Sequence, residues 1–170
     1  MARIHIGTSG WSYKDWVGNF YPKDIKAKDY LSNYSTHFNT VEIDSTFYGI
    51  PRKTSVESWY RAVSPGFKFA PKFPQEITHH SDLTGVEDLL SKFLDTMALL
   101  KEKLGPILLQ FPYSFKPEMF NNLAKFLKLL PSGFDFVVEI RNRKWLTDKF
   151  YDLLRKEGVG LALLEHPWMP

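Results

Sequence analysis

The segment Thr40-Val-Glu-Ile-Asp44 alternates apolar and charged residues, and this alternation limits the architectures that the chain can adopt. Successive side chains of a strand point to opposite faces, so Val41 and Ile43 share one face and Glu42 lies on the other. The same alternation recurs in two later segments, Phe67-Lys-Phe-Ala-Pro-Lys72 and Phe134-Asp-Phe-Val-Val-Glu-Ile-Arg141. We therefore expect these strands to bury one face against helices and to gather charge on the other.

Six short runs have the composition of buried strands, and helical patterns lie between them. These runs are Arg3–Gly7, Thr40–Asp44, Phe67–Lys72, Ile107–Pro112, Phe134–Arg141 and Gly160–His166. Strands that alternate with helices pair in parallel through right-handed crossovers. An open doubly wound sheet would have inner strands that are apolar on both faces, and no glycine-rich phosphate loop follows any of these strands. The pattern therefore predicts an α/β fold of the TIM-type (β/α) barrel class.

The chain has 170 residues, which fits one domain. An eight-unit barrel of about 250 residues uses roughly 31 residues for each βα unit. At that rate we expect residues 1–170 to form a single barrel domain with about six of the eight units, lacking the last two. The first and sixth strands would then be open edges, through which the chain could self-associate.

Composition excludes several classes of protein. Cysteine is absent, which excludes disulfides, a catalytic thiol and cysteine-based metal sites. The net charge of +3 is too small to be diagnostic of nucleic-acid binding. No apolar run reaches the roughly 18 residues of a membrane-spanning helix, and no signal-peptide pattern opens the chain, so we expect no membrane partner and a cytoplasmic location.

Four motifs in the chain are distinctive, and each falls at the end of a predicted strand. They are Ile6-Gly-Thr-Ser-Gly-Trp-Ser-Tyr13, Phe38-Asn-Thr-Val-Glu-Ile-Asp-Ser-Thr-Phe-Tyr48, Phe67-Lys-Phe-Ala-Pro-Lys72 with Ile77-Thr-His79, and Leu109-Gln-Phe-Pro112. In this order they resemble the YecE-like family, a domain of unknown function, over essentially the whole chain. The resemblance implies a TIM-type barrel and a chain that continues past Pro170. It does not supply a reaction, a cofactor or a catalytic residue.

Polar residues stand where the predicted strands end, which is where (β/α) barrels place their active sites. Those that share the charged face are Glu42, Asp44, Lys72, Gln110, Glu139 and Arg141. Burying an ion costs several kcal/mol unless it is closely paired, so function is the natural reason for placing charges there. The alternative is a structural charge network, in which these groups pair with one another and catalyse nothing.

The leading hypothesis is a hydrolase or phosphoesterase-like enzyme with an anion-accommodating site. Lys72 and Arg141 would hold the phosphate or carboxylate of a small polar ligand. Glu42, Asp44 or Glu139 would act as general base or acid toward a bound water. The substrate would be a phosphate-containing or glycosidic compound.

A divalent metal is a further possibility within the enzyme hypothesis. Candidate ligands are Glu42 and Glu139, together with His5 or His166. Carboxylates suit Mg²⁺ or Mn²⁺, and an added imidazole admits Zn²⁺. No closely spaced pair of histidines supports this hypothesis, and the metal stays unassigned.

The alternative to an enzyme is a non-catalytic nucleic-acid-binding module. Trp11 and Tyr48 follow the first two predicted strands, where their rings could stack bases at about 1–3 kcal/mol each. The same rings could instead pack the loops onto the domain. Ser9 has no base partner nearby in the sequence, so it is not interpreted as a nucleophile. His79 and His80 follow the third predicted strand; one of them could reach the mouth of the barrel, but a surface position is the favoured interpretation.

Overall fold

A computed structural model describes residues 4–165 of the chain. Its strands are β1 Thr40–Ile43, β2 Lys68–Pro71, β3 Ile107–Phe111, β4 Phe136–Ile140 and β5 Gly160–Leu161. Its α-helices are α1 Tyr30–Tyr34, α2 Lys53–Ala62, α3 Gln75–Thr78, α4 Glu87–Met97, α5 Phe120–Leu127 and α6 Asp148–Glu157. Short 3-10 turns lie between them, including one at Asp44–Phe47 directly after β1. Within residues 4–165, no helix has both the length and the apolar character needed to cross a membrane.

The strands form two small parallel sheets rather than one closed barrel. β1 pairs with β2 in the first sheet, and β3, β4 and β5 follow one another in the second. The expected α/β class with parallel pairing is confirmed. The prediction of a TIM-type barrel with about six of its eight units is wrong, because the described residues contain five strands in sheets of two and three.

The first predicted strand, Arg3–Gly7, does not form in the part of the chain that the structure describes. Its amides bind side chains instead of a neighbouring strand. The amide of Ile6 donates to Oδ1 of Asn39 at 2.8 Å, and the amide of Thr8 donates to the Tyr34 hydroxyl at 2.8 Å. Ser9, just beyond this run, forms one isolated parallel bridge with Glu42 of the first sheet.

Prolines interrupt the ladder between β2 and β3. Phe69 accepts a hydrogen bond from Gly105 at 2.7 Å, and Phe73 donates one to Leu108 at 2.9 Å. Amides of alternate residues face the same neighbouring strand, so an amide at residue 71 would donate between these two bonds. Pro71 has no amide hydrogen, and the facing Pro106 has none either. In the part of the chain that the structure describes, only isolated bridges therefore join the two sheets.

The sixth predicted strand is also shorter than expected. Residues Gly160–Leu161 form β5, whereas the prediction ran from Gly160 to His166. His166 lies outside the described residues. With two paired residues, β5 contributes only the edge of the second sheet.

The expected division of the strands into two faces is confirmed by burial. Val41, Phe69, Leu109 and Val138 are fully buried. They pack in one core with apolar residues of the helices, such as Phe93 of α4. The opposite face is only partly covered in β1, β2 and β3. It carries the charged groups, and the candidate site is built on it.

Candidate functional site

The loop before β1 places a serine beside the charged residues of that strand. The amide of Gly10 donates to the carbonyl of Glu42 at 2.9 Å, and the amide of Glu42 donates to the carbonyl of Thr8 at 3.0 Å. A Cβ on Gly7 would lie 2.0 Å from the carbonyl oxygen of Thr40. Glycine at position 7 therefore lets the loop approach the strand closely enough to form these bonds.

Ser9, Glu42, Asp44 and Lys72 form what we call the acidic cluster. Lys72 Nζ lies 2.6 Å from Asp44 Oδ1 and 3.0 Å from Glu42 Oε1. Ser9 Oγ lies 2.6 Å from Glu42 Oε1 and also contacts Asp44 Oδ2. A hydroxyl has one hydrogen and can donate to one carboxylate at a time. Ser9 therefore donates its hydrogen to either Glu42 or Asp44 and links the two carboxylates.

The pKa values of Asp44 and Lys72 favour their charged forms. Burial works to raise the pKa of Asp44, but hydrogen bonds from Lys72 and Ser9 outweigh it and lower that pKa. Burial works to lower the pKa of Lys72, but its bond to Asp44 and the charge of Glu42 raise it. Both groups are therefore charged at neutral pH, and the lysine charge is balanced within the cluster.

Gln110, Glu139 and Arg141 form what we call the arginine cluster. Gln110 Nε2 donates to Glu139 Oε1 at 2.7 Å, and Arg141 Nε donates to the same oxygen at 3.1 Å. The Glu139 side chain is buried, whereas the Arg141 side chain is 39% exposed. Among the described residues, Arg141 makes no other hydrogen bond, so its terminal amino groups remain available as donors to a ligand.

The two clusters lie on the same face of neighbouring strands. Lys72 is level with Leu108 of β3, and Gln110 of β3 is level with Glu139 of β4. Parallel strands lie about 4.8 Å apart and rise about 3.3 Å per residue. Gln110 is therefore one strand spacing and two residues from Lys72, roughly 8 Å between Cα atoms, and Glu139 is roughly 12 Å away. A small ligand could therefore contact both clusters.

His79 packs against Phe47 and is close enough to Arg141 for that charge to act on it. Its ring centroid is 4.9 Å from that of Phe47, at the end of the turn that Asp44 begins. Burial lowers the pKa of His79, and the positive charge of Arg141 lowers it further. The imidazole is therefore neutral at pH 7 and adds no cation to this face.

The metal hypothesis finds no support in residues 4–165. In this range no group of three or more histidine, aspartate and glutamate side chains is arranged to hold a metal ion. His5 directs Nδ1 toward the carbonyl of Asn39, at 3.4 Å. His166, the other candidate ligand, lies outside the described residues.

The two aromatic candidates differ. Trp11 packs edge-on against Trp59 of α2, with ring centroids 5.6 Å apart, so it fastens its loop to a helix. Tyr48 is 73% exposed, so its ring is accessible to solvent. A cavity of about 590 Å³ lies elsewhere, between the loop at residues 22–29 and α1.

Sequence reasoning missed the contacts of Ser9, and it favoured a surface position for His79. Ser9 meets carboxylates that lie 33 and 35 residues later in the chain, so only the folded backbone brings them together. His79 follows the short helix α3, and its proximity to Arg141 depends on the pairing of β3 with β4. The Ile6–Tyr13 and Ile77–His79 motifs contain both residues, but a motif without an assigned role does not reveal their partners.

The fold and this face define a class: a parallel α/β protein whose sheets carry a charged, partly exposed face. The chain belongs to the DUF72 family of proteins of unknown function, whose sequence profile matches residues 5–170. The resemblance to the YecE-like family is thereby confirmed. The chain is 34% identical to the UPF0759 protein YecE of Escherichia coli strain K12, over 95% of this chain and 59% of that protein.

Other relatives agree with this assignment. The UPF0759 protein YunF of Bacillus subtilis is 30% identical over 96% of this chain and 61% of its own length. A DUF72 family protein of Thermotoga maritima has a similar crystal structure, with a TM-score of 0.80, 27% identity and coverage of 98% of this chain and 66% of that one. A DUF72 family protein of Enterococcus faecalis matches with a TM-score of 0.77 and 27% identity over 94% of this chain and 60% of that one. The chain thus spans about three fifths of the length of its curated relatives.

Proposed function

We propose that the protein is a hydrolase that acts on a small anionic substrate, either a phosphate ester or a glycoside that carries an acidic group. One observation carries the proposal. Side chains from the loop at Ser9 and from the ends of β1 to β4 converge in two hydrogen-bonded clusters on one partly exposed face, and Arg141 keeps free donors there. A general base beside an anion-binding group is what such hydrolysis requires.

Arg141 is the anion-binding residue in this proposal. Its planar guanidinium suits the paired oxygens of a phosphate or carboxylate, and Glu139 fixes its Nε. Lys72 takes a different role from the one that the sequence suggested. Because Asp44 and Glu42 already balance its charge, Lys72 orients the two carboxylates instead of binding the substrate.

Glu42 is the proposed general base. It shares Ser9 and Lys72 with Asp44, which the lysine keeps ionised. In the hydrolytic step, Glu42 takes a proton from water, and the water oxygen forms a bond to the phosphorus or the anomeric carbon. The bond to the leaving oxygen breaks, and that oxygen is protonated from solvent.

Turnover measurements on the purified chain test this proposal. Substrates are p-nitrophenyl phosphate and a panel of acidic p-nitrophenyl glycosides. We expect Glu42→Gln to lower kcat by about 100-fold or more with little change in KM, since a general base contributes about 10²–10⁴-fold. Arg141→Gln should mainly raise KM. The matched control is Arg155→Gln, which removes an exposed arginine–aspartate pair on α6 and should change neither constant.

The alternatives give other results. Unchanged turnover in Glu42→Gln, together with a lower melting temperature, would make the clusters a structural network. A complete absence of turnover, combined with binding of a single-stranded oligonucleotide that weakens steeply with salt, would instead indicate a nucleic-acid-binding module. The pairing of Lys72 with two carboxylates argues against that module, because it leaves this lysine no charge for a phosphate.

A further inference from the structure

The strongly exposed aromatic side chains of the described residues are all tyrosines, and all follow segments that build the candidate site. Tyr13 is 41% exposed, Tyr48 is 73% exposed and Tyr113 is 71% exposed. The other exposed large hydrophobic residues of residues 4–165 are aliphatic: Ile4, Ile6, Leu129, Leu146 and Leu163. Single exposed apolar residues are ordinary, but the restriction of exposed rings to the loops of one charged face is not expected from chance exposure.

The backbone of Tyr48 is fixed next to the acidic cluster. Tyr48 caps the 3-10 turn that begins at Asp44, and its amide donates to the carbonyl of Ser45 at 3.2 Å. Its ring meets Phe47 edge-on, with centroids 5.3 Å apart and an interplanar angle of 87°. Phe47 in turn contacts His79. The ring of Tyr48 is thus supported at one side and open to solvent elsewhere.

Tyr113 is fixed next to the arginine cluster. It lies two residues beyond β3, and its carbonyl accepts a hydrogen bond from Asn142 Nδ2 at 3.1 Å. Asn142 is buried and directly follows Arg141. Tyr13 is less free than the other two, because its hydroxyl donates to the carbonyl of Ser9 at 2.5 Å and its ring packs on Trp16.

The geometry points to a ligand that carries a ring as well as an anionic group: a phosphorylated compound with a sugar or base ring, which stacks on Tyr48 while its phosphate binds Arg141. This inference rests on the proposed function and adds the substrate class. A ring that leaves water gains both apolar burial and a stacking partner on the flat face of tyrosine. The aliphatic side chains that are exposed elsewhere offer no such face.

Calorimetric titration of the purified chain tests the inference with four probes: adenosine monophosphate, glucose 6-phosphate, inorganic phosphate and adenosine. At least one ring-bearing phosphate should bind about tenfold or more tightly than inorganic phosphate. Tyr48→Ala should remove that advantage and leave the affinity for inorganic phosphate unchanged, whereas Tyr48→Phe should retain it. A preference for the nucleotide would identify a base ring, and a preference for glucose 6-phosphate a sugar ring.

Leu129→Ala, which truncates an exposed apolar side chain outside the site, is the matched control and should leave all affinities unchanged. Equal affinity for inorganic phosphate and both ring-bearing phosphates would overturn the inference, as would a ring advantage that survives Tyr48→Ala. In either case, loss of phosphate binding in Arg141→Gln would still support the proposed function. If Arg141→Gln bound every phosphate as the unmodified chain does, the proposed function would fail as well.

Discussion

Lys72 holds two carboxylates in place with one charge, and its side chain is only 13% exposed. A neutral residue at position 72 would leave Glu42 and Asp44 facing each other without compensation. Breaking a buried pair costs about 3–5 kcal/mol, and the partial exposure of both carboxylates reduces this cost through solvent screening. The acidic cluster should therefore depend on Lys72 for stability as well as for chemistry.

We predict that Lys72→Met lowers the free energy of unfolding by about 2 kcal/mol in urea denaturation. Adding Asp44→Asn should recover part of this loss, because the double variant no longer places two carboxylates side by side. The control is Arg155→Gln, whose ion pair with Asp152 is about three-quarters exposed and is expected to contribute about 0.5 kcal/mol or less. If Lys72→Met lowered the free energy of unfolding no more than Arg155→Gln does, the pairing of Lys72 would add no stability of its own.

The acidic cluster also predicts a pH dependence. The folded-state pKa of Asp44 lies below its ordinary value of 3.8, so as the pH falls the unfolded chain takes up this proton first. The stability that Asp44 contributes is present above pH 3.8 and is lost as the pH falls through its folded-state pKa. The folded-state pKa of Lys72 lies above its ordinary value of 10.5. The stability that Lys72 contributes is therefore fully present below pH 10.5 and is lost as the pH rises through its folded-state pKa.

We therefore expect Asp44→Asn to lose less stability than the unmodified chain between about pH 5 and pH 2. The measurement is the urea midpoint across this range for both proteins. Parallel pH profiles would contradict the lowered pKa of Asp44.

At the scale of elements, the segment at residues 4–10 shows what strand patterns can and cannot predict. Its alternation is compatible with a strand, but Asn39 and the Tyr34 hydroxyl take the amides that a strand would give to a neighbour. Such competition depends on side chains that lie more than 20 residues away, and no local pattern contains it. Pro71 was visible in the sequence, and its missing amide hydrogen was a sign that the ladder from β2 to β3 would be interrupted.

Gly7 is the residue on which the position of this segment depends. We predict that Gly7→Ala lowers the melting temperature by several degrees, because the added Cβ would lie 2.0 Å from the Thr40 carbonyl and displace the loop that carries Ser9. The control is Gly49→Ala, where a Cβ would meet nothing within 4 Å. Thermal unfolding monitored by circular dichroism makes the comparison, and a Gly7→Ala curve that matches the control would disprove the close approach.

At the scale of the whole molecule, the sequence predicted the arrangement of faces better than the closure of the sheet. The alternation in β1, β2 and β4 identified the charged face. On that face Glu42 pairs with Lys72, and Glu139 pairs with Arg141. Barrel closure depends on continuous pairing between every two neighbours, and a unit count from chain length does not test that pairing. The contacts of Ser9 and His79 escaped prediction for the same reason, since each depends on the register between segments that are distant in sequence.

The central claim is that the two clusters form one binding surface on the charged face, and a nuclear magnetic resonance titration with inorganic phosphate tests it most directly. The predicted result is a shift of the Arg141 Nε–H resonance together with the backbone amides of Gln110, Lys72 and Ser9, at one common dissociation constant. Shifts confined to the cavity at residues 22–36, or an Arg141 signal that does not move at saturating phosphate, would contradict it.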